Sequence, residues 1–331
     1  MSNSSSFAPP GEDGFDLWVE RSNLDGVLLA GVAYGILFTI TVQTLLMFLR
    51  RGRNQIPWGL VTYSVFMFIL ASIGLGGNAK FNEMTFIDDR NIPGGPNAFT
   101  EEFFTTPVNL MAFVAYILMS WLADGLVLWR FTLIWNYQYW LSVFPVLMFL
   151  GSVTSSLALI VTTVTTNPVL AEKSVQFGIA YWSLSISLNI VLTMSIVGRL
   201  LFVRRHAHGT GHTAQYVSIA AMLIESAALY AIWSTVFLIC YVRQSPLENI
   251  LLPAQGQIQG IAPLLILFRV AQGRAWSQHT LDTTTQGGGR SRGIPLSDFA
   301  ATSASRGTQG DLKVNMTTET SQWDGDKPSA V

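Results

Sequence analysis

Residues 107–130 read "PVNLMAFVAYILMSWLADGLVLWR", with one full charge, Asp124, before Arg130. At about 1.5 Å per helical residue, this run is long enough to cross about 30 Å of hydrocarbon. Its polar residues are spaced in register: Tyr116, Ser120 and Asp124 follow one another at i+4, and Asn109 precedes Tyr116 by seven. All four therefore share one face of a helix. Lipid does not reward a polar stripe, so this face must look into a protein interior.

Six further apolar stretches flank it, at 27–49, 57–77, 140–164, 177–202, 216–241 and 249–270. The composition agrees: half of the 331 residues are apolar and 12% are charged, whereas soluble domains carry about 25% charge. The expectation is an all-α membrane protein, a bundle of seven transmembrane helices occupying 27–275. Residues 1–26 form an extracellular N-terminal segment, and 276–331, rich in Ser, Thr and Gly, a disordered cytoplasmic tail. The second span ends in "GLGGN", and the seventh contains Pro253, Pro263 and three glutamines. A span tolerates such residues only where neighbouring helices or a wet cavity satisfy the freed backbone.

Basic residues set the expected orientation. "RRGRNQ" follows the first span, Arg130 ends the third, "GRLLFVRRHAHG" follows the fifth, and Arg269 and Arg274 end the seventh. The alternate connections hold "FIDDR", "TEEFF", and Arg243 with Glu248. The positive-inside rule then puts the N-terminus outside and the C-terminus in the cytoplasm. The sequon at Asn3 falls outside and that at Asn315 inside. No secretory signal peptide is evident, so the first span acts as the targeting signal. The lone cysteine, Cys240, excludes an intramolecular disulfide.

Polar stripes recur on three other spans. The fifth has Tyr181, Ser185, Asn189 and Thr193 at i+4, the sixth has Ser218, Glu225, Tyr230 and Ser234, and the seventh has Gln255 and Gln259. Interhelical hydrogen bonding alone accounts for any one of these hydroxyls, at about 0.6 to 2 kcal/mol each. Four helices contributing at comparable depth favour an outward-opening polar cavity between the third, fifth, sixth and seventh spans. Its candidate lining is Asn109, Tyr116, Ser120, Tyr181, Ser185, Asn189, Tyr230, Ser234, Gln255 and Gln259.

The buried acids need partners, because an ionised carboxylate in hydrocarbon is costly. Asp124 and Arg130 stand six residues apart, about 600° of helical turn, and so lie on different faces. Arg199 is therefore the candidate partner of Asp124, and Asn189 or a bound proton that of Glu225. Together Asp124, Arg130, Arg199 and Glu225 read as a polar lock between two packings. A proton path would continue outward through ionisable groups, and above Glu225 only hydroxyls and amides follow.

Several chemistries are disfavoured. Lys80, Lys173, Lys313 and Lys327 all fall outside the predicted spans, leaving no Schiff-base lysine for retinal. The four histidines are read as cytoplasmic, and "RRHAHGTGH" lacks the carboxylate or thiolate that would complete a metal site. No phosphate loop or catalytic triad is present, so no enzyme, cofactor, metal or nucleic-acid partner is expected. There is also no duplication between the first and last three spans, which weighs against a transporter built from repeats. "GVAYG" in the first span and "GQIQG" in the seventh are small-xxx-small patterns expected to pack those two helices together. Pro263 is expected to kink the seventh.

The stretches "ADGLVLWRFTLIW" (122–135), "IESAALYAIWS" (224–234) and "IQGIAPLLILFRVAQGRAW" (258–276) resemble a large group of seven-helix membrane proteins of mushroom-forming basidiomycete fungi. The resemblance covers the membrane region, implies a seven-helix fold in a fungal membrane, and brings no ligand or site residue. A looser similarity to G-protein-coupled receptors rests on helix count and orientation. Arg130 has no adjacent acid, the seventh span lacks Asn-Pro-x-x-Tyr, and the outer disulfide is missing, so G-protein coupling does not follow. The functional expectation is a receptor-like sensor of a small amphipathic ligand in the plasma membrane, with a cytoplasmic signalling partner. A proton-coupled transporter or lipid-handling protein is the alternative, and a structural scaffold the third.

Overall fold

A computed structural model describes residues 14–50, 56–135, 139–165, 168–206 and 213–286. The described residues form eight α-helices and no strand: α1 (Gly14–Leu49), α2 (Trp58–Glu83), α3 (Gly95–Glu102), α4 (Pro107–Ile134), α5 (Tyr139–Val164), α6 (Pro168–His206), α7 (Thr213–Val242) and α8 (Leu247–Gln286). All but the short α3 are long and apolar enough to cross a membrane. The chain is thus an all-α, multi-pass membrane protein whose seven spans match the seven apolar stretches of the sequence. Asn3, Asn315, His208, His212, Lys313, Lys327 and the tail from 287 lie outside the described residues, as do the side chains of Ser218 and Arg274.

The helices outrun the apolar stretches, because a helix stops at a breaker rather than where hydrophobicity ends. α8 belongs to the unit Met1–Trp276 up to its boundary, and its last turns, 277–286, are the described part of the second unit. The sequence expected no structure there, yet the first strong breaker after the span is the glycine run 287–289. Lys80 and Lys173, expected in loops, sit on the extended ends of α2 and α6, and both are exposed.

α8 is the centre of the bundle. Residues 253–264 are buried without interruption, and 72% of its spanning stretch is buried against 22% for α5. Its amides and prolines are tolerated because every side of this segment meets protein. Gln257 Nε2 donates to Ala71 O of α2 (3.1 Å) and Gln255 Nε2 to Ser234 Oγ of α7 (2.7 Å). Pro253, having no N–H, frees the carbonyl of Asn249 one turn earlier. Gly26 of α1 lies against that oxygen, and a Cβ there would stand 2.2 Å from it.

The small-residue patterns behave differently from expectation. Gly31 and Gly35 of "GVAYG" have open space where a Cβ would sit, and both are exposed, so these two glycines pack nothing. "GQIQG" does pack, chiefly on α4: Gly260 meets Met119 and Leu37, and Gly256 meets the Tyr116 ring. Gly74 of α2 approaches the same ring from α2, with an added Cβ 2.5 Å from it, against 2.2 Å at Gly256. Tyr116 is held between two glycines. Through Leu37, Gly260 makes the expected contact of α8 with α1, and Gly26, which the motif search passed over, makes a second against the α8 backbone.

The connection from α2 to α4 is folded. α2 continues through a π-helical turn, Met84–Asp88, and Gly94 and Gly95, at φ 91° and 71°, then set the chain into α3. Phe99 of α3 is buried, with Phe103 at 4.9 Å and Phe81 at 5.9 Å between ring centroids. Asn97 Nδ2 donates to Asp16 O of α1 (3.1 Å). This end of the bundle is called the α3 end below, and the opposite one, bearing Arg130 and Arg199, the arginine end.

Candidate functional site

The polar stripes of α4, α6, α7 and α8 meet in the interior. Ser185 Oγ donates to Asp124 Oδ2 at 2.7 Å and lies 3.0 Å from Tyr230 Oη. A hydroxyl has one hydrogen, so with that of Ser185 committed to the carboxylate, Tyr230 is the donor to Ser185. Gln259 Nε2 in turn donates to Tyr230 Oη at 3.4 Å and to Ser120 Oγ. The Tyr181 hydroxyl faces Ser120 and Gln259. The result is a directed chain, Gln259 to Tyr230 to Ser185 to Asp124, drawn from all four helices and ending on a buried carboxylate. Such chains polarise one another, and each bond strengthens the next.

Two cavities adjoin the chain. The larger, about 160 Å³, lies at the α3 end between α1, α2, α3, α4, α6 and α8. Asn109, Tyr116, Tyr181, Gln255 and Gln259, all on the candidate lining read from the sequence, line it. The π-helical turn brings Thr85 and Phe86 to its wall, and Thr100 and Phe104 from α3 and its exit complete that end. Among its lining residues there is no Asp, Glu, Lys, Arg or His. The smaller, about 20 Å³, has room for about one water. Asp124, Arg130, Asn189, Thr193 and Tyr230 line it, together with Pro263. Gln259 is on the wall of both.

The structure relocates several of the sequence-proposed residues. The large cavity draws no residue from α7, and Ser120, Ser185 and Ser234 line neither cavity; they are buried in the hydrogen-bonded floor. Asn189 belongs to the small cavity, not the large one.

Glu225 is exposed rather than inward-facing. The buried stripe of α7 runs Ser226, Tyr230, Ser234, Phe237. Glu225 precedes Tyr230 by five residues, about 140° around the helix from it. It shares the outer surface with Ile224, Leu229 and Ile232. It lies about 7.5 Å from Tyr230 toward the arginine end, close to the level of Arg130, which is about 9 Å from Asp124 in the same direction. The expected burial against Asn189 gives way to a carboxylate on the exposed face of α7.

Arg199 is not the partner of Asp124. Ser185 marks the level of Asp124 on α6, and Arg199 follows fourteen residues, about 21 Å, later. Its guanidinium instead lies 5.2 Å over the Trp135 ring at the end of α4. The contact that holds Asp124 is the Ser185 hydroxyl.

Sequence reasoning missed Asn23, Asn78, Asn82 and Asn249 in the large cavity. The first lies in the segment assigned outside the membrane, and Asn78 and Asn82 lie just past the predicted end of the second span. Their i+4 spacing on one helix was the available signal. No family model, curated protein or solved structure matches the chain.

Proposed function

We propose that the protein is a receptor-like sensor that binds a small amphipathic molecule in the cavity at the α3 end and signals by repacking around Asp124. In this reading the α3 end and the N-terminus face outward from the plasma membrane of a fungal cell, and the arginine end faces a cytoplasmic signalling partner. The excess of Lys and Arg in the connections at that end supports the orientation.

One observation carries the reading: Gln259 lines both cavities while donating to Ser120 and Tyr230. A molecule that competes for the Gln259 amide alters the chain that ends on Asp124, so occupancy of one cavity biases the other. A scaffold bundle gains nothing from such an arrangement.

The test places a reporter in the small cavity. In a Cys240→Ser, Thr193→Cys protein, small neutral molecules that raise the melting temperature are expected to change the thiol-labelling rate at 193. In a further Gln259→Leu background they are expected to bind without that change. Labelling at 193 that is indifferent to every stabilising molecule overturns the sensor reading.

A second reading, a proton-coupled transporter, is favoured by the same directed chain, since hydroxyls and a water-sized cavity next to a carboxylate are the parts of a proton relay. It requires flux into proteoliposomes driven by a pH gradient and abolished by Asp124→Asn. The sensor reading requires no flux.

A further inference from the structure

Carboxamides within the apolar stretches go inside, with one exception. Asn109, Asn189, Gln255, Gln257 and Gln259 are buried, and Asn249 lines the large cavity. Gln43 of α1 is exposed, and among the described residues it makes no hydrogen bond. Its depth keeps it from water. It precedes Arg50 by seven residues, which is about 10 Å inside the arginine end. A helical side chain also leans toward the N-terminus of its helix, and for α1 that direction leads further into the hydrocarbon. Lipid tails offer an amide no partner and an unpaired amide there is costly, so the partner must come from another protein surface.

The face beside Gln43 has the form of a helix-pairing seam. Leu28, Val32, Gly35, Thr39, Val42 and Leu46, spaced alternately by four and three residues, are all exposed. That spacing is the seam of a left-handed pair of helices. Gly35 has open space where a Cβ would sit, which lets a second backbone come close at mid-seam. The Thr39 hydroxyl donates to Gly35 O of its own helix (2.8 Å), and its oxygen remains able to accept. Gln43 follows Thr39 by one turn, at the edge of the seam.

A second copy of the chain supplies what this face lacks. Two copies inserted in one membrane share an orientation, so their α1 helices run parallel and equal residues meet at equal depth about a two-fold axis. Gln43 of one copy then stands level with Gln43 of the other and one turn from its Thr39. An amide both donates and accepts, so it can bond to either.

We infer that two copies of the chain associate through the exposed face of α1, with the Gln43 amides hydrogen-bonded across the interface and Gly35 at the closest approach. The interface is separate from both cavities and does not depend on the sensor reading.

The full-length chain with Cys240→Ser is given single cysteines and oxidised in phospholipid vesicles at a low protein-to-lipid ratio. Disulfide-linked dimer is expected from Val32→Cys and Leu46→Cys, and only collisional background from Leu147→Cys on the exposed face of α5. Adding Gln43→Leu is expected to weaken association roughly threefold to thirtyfold, the range of one interhelical bond, and adding Gly35→Leu to abolish the linked dimer. Both side chains point out of the bundle, so the melting temperature of the monomer in detergent is expected to stay unchanged in each variant. Linking at 147 equal to that at 32 and 46, linking at 32 and 46 that survives both substitutions, or a chain that is monomeric at every position overturns the inference.

Discussion

α8 and α5 are both membrane-spanning helices, and they solve opposite problems. α5 is the most apolar of the seven by composition, and only 22% of its spanning stretch is buried; α8 is the least apolar, and 72% is buried. In water the core attracts the hydrophobic side chains, but in a bilayer lipid and core are equally apolar, so hydrophobicity no longer sorts inside from outside. What sorts them is the polar residue and the small residue. Gln255, Gln257 and Gln259 find hydrogen-bond partners only in the interior, and Gly256 and Gly260 admit neighbours that lipid tails do not require.

The same substitution should therefore have opposite signs in the two helices. Gly256→Ala drives a Cβ to 2.2 Å from a ring that Gly74 already holds on another side, and is expected to destabilise by about 2–3 kcal/mol through overpacking. Gly151→Ala in α5 meets only Leu184 Cδ1 at 3.4 Å, and the better helix former should be neutral or stabilising by up to about 1 kcal/mol. Thermal unfolding of the two variants in one detergent measures both, and equal effects would break the comparison.

Gln259→Leu comes next in size. It keeps the volume and strips Ser120 and Tyr230 of a donor, for an expected loss of about 1–3 kcal/mol. Gln255→Leu removes the single bond to Ser234, and about 1 kcal/mol is expected in the same unfolding assay. Smallest of all, Leu147→Val on the exposed face of α5 should shift stability by less than about 0.5 kcal/mol.

The comparison also explains what was legible in the sequence. Seven long apolar runs locate seven helices whatever their packing, and a stripe such as Tyr116, Ser120, Asp124 declares its inward face by period alone. Glu225 defeated that logic because its helix carries two candidate stripes a residue apart, and only packing chooses the one through Ser226. Arg199 required the relative levels of two helices, which no single-helix period contains. The cavity is bounded by α1 and α2 and not by α7 because Asn23, Asn78 and Asn82 lie outside the predicted spans, where no stripe was sought. α8 read as one of the weakest spans because its amides and prolines count against a membrane helix until its buried surroundings are known.

Gln259 has a consequence for permeability. The space at the α3 end and the water-sized space beside Asp124 and Arg130 share that one side chain as a wall. Truncation to glycine is expected to remove that shared wall along with its two hydrogen bonds, and a faster thiol-labelling rate at a Thr193→Cys reporter would register the opening.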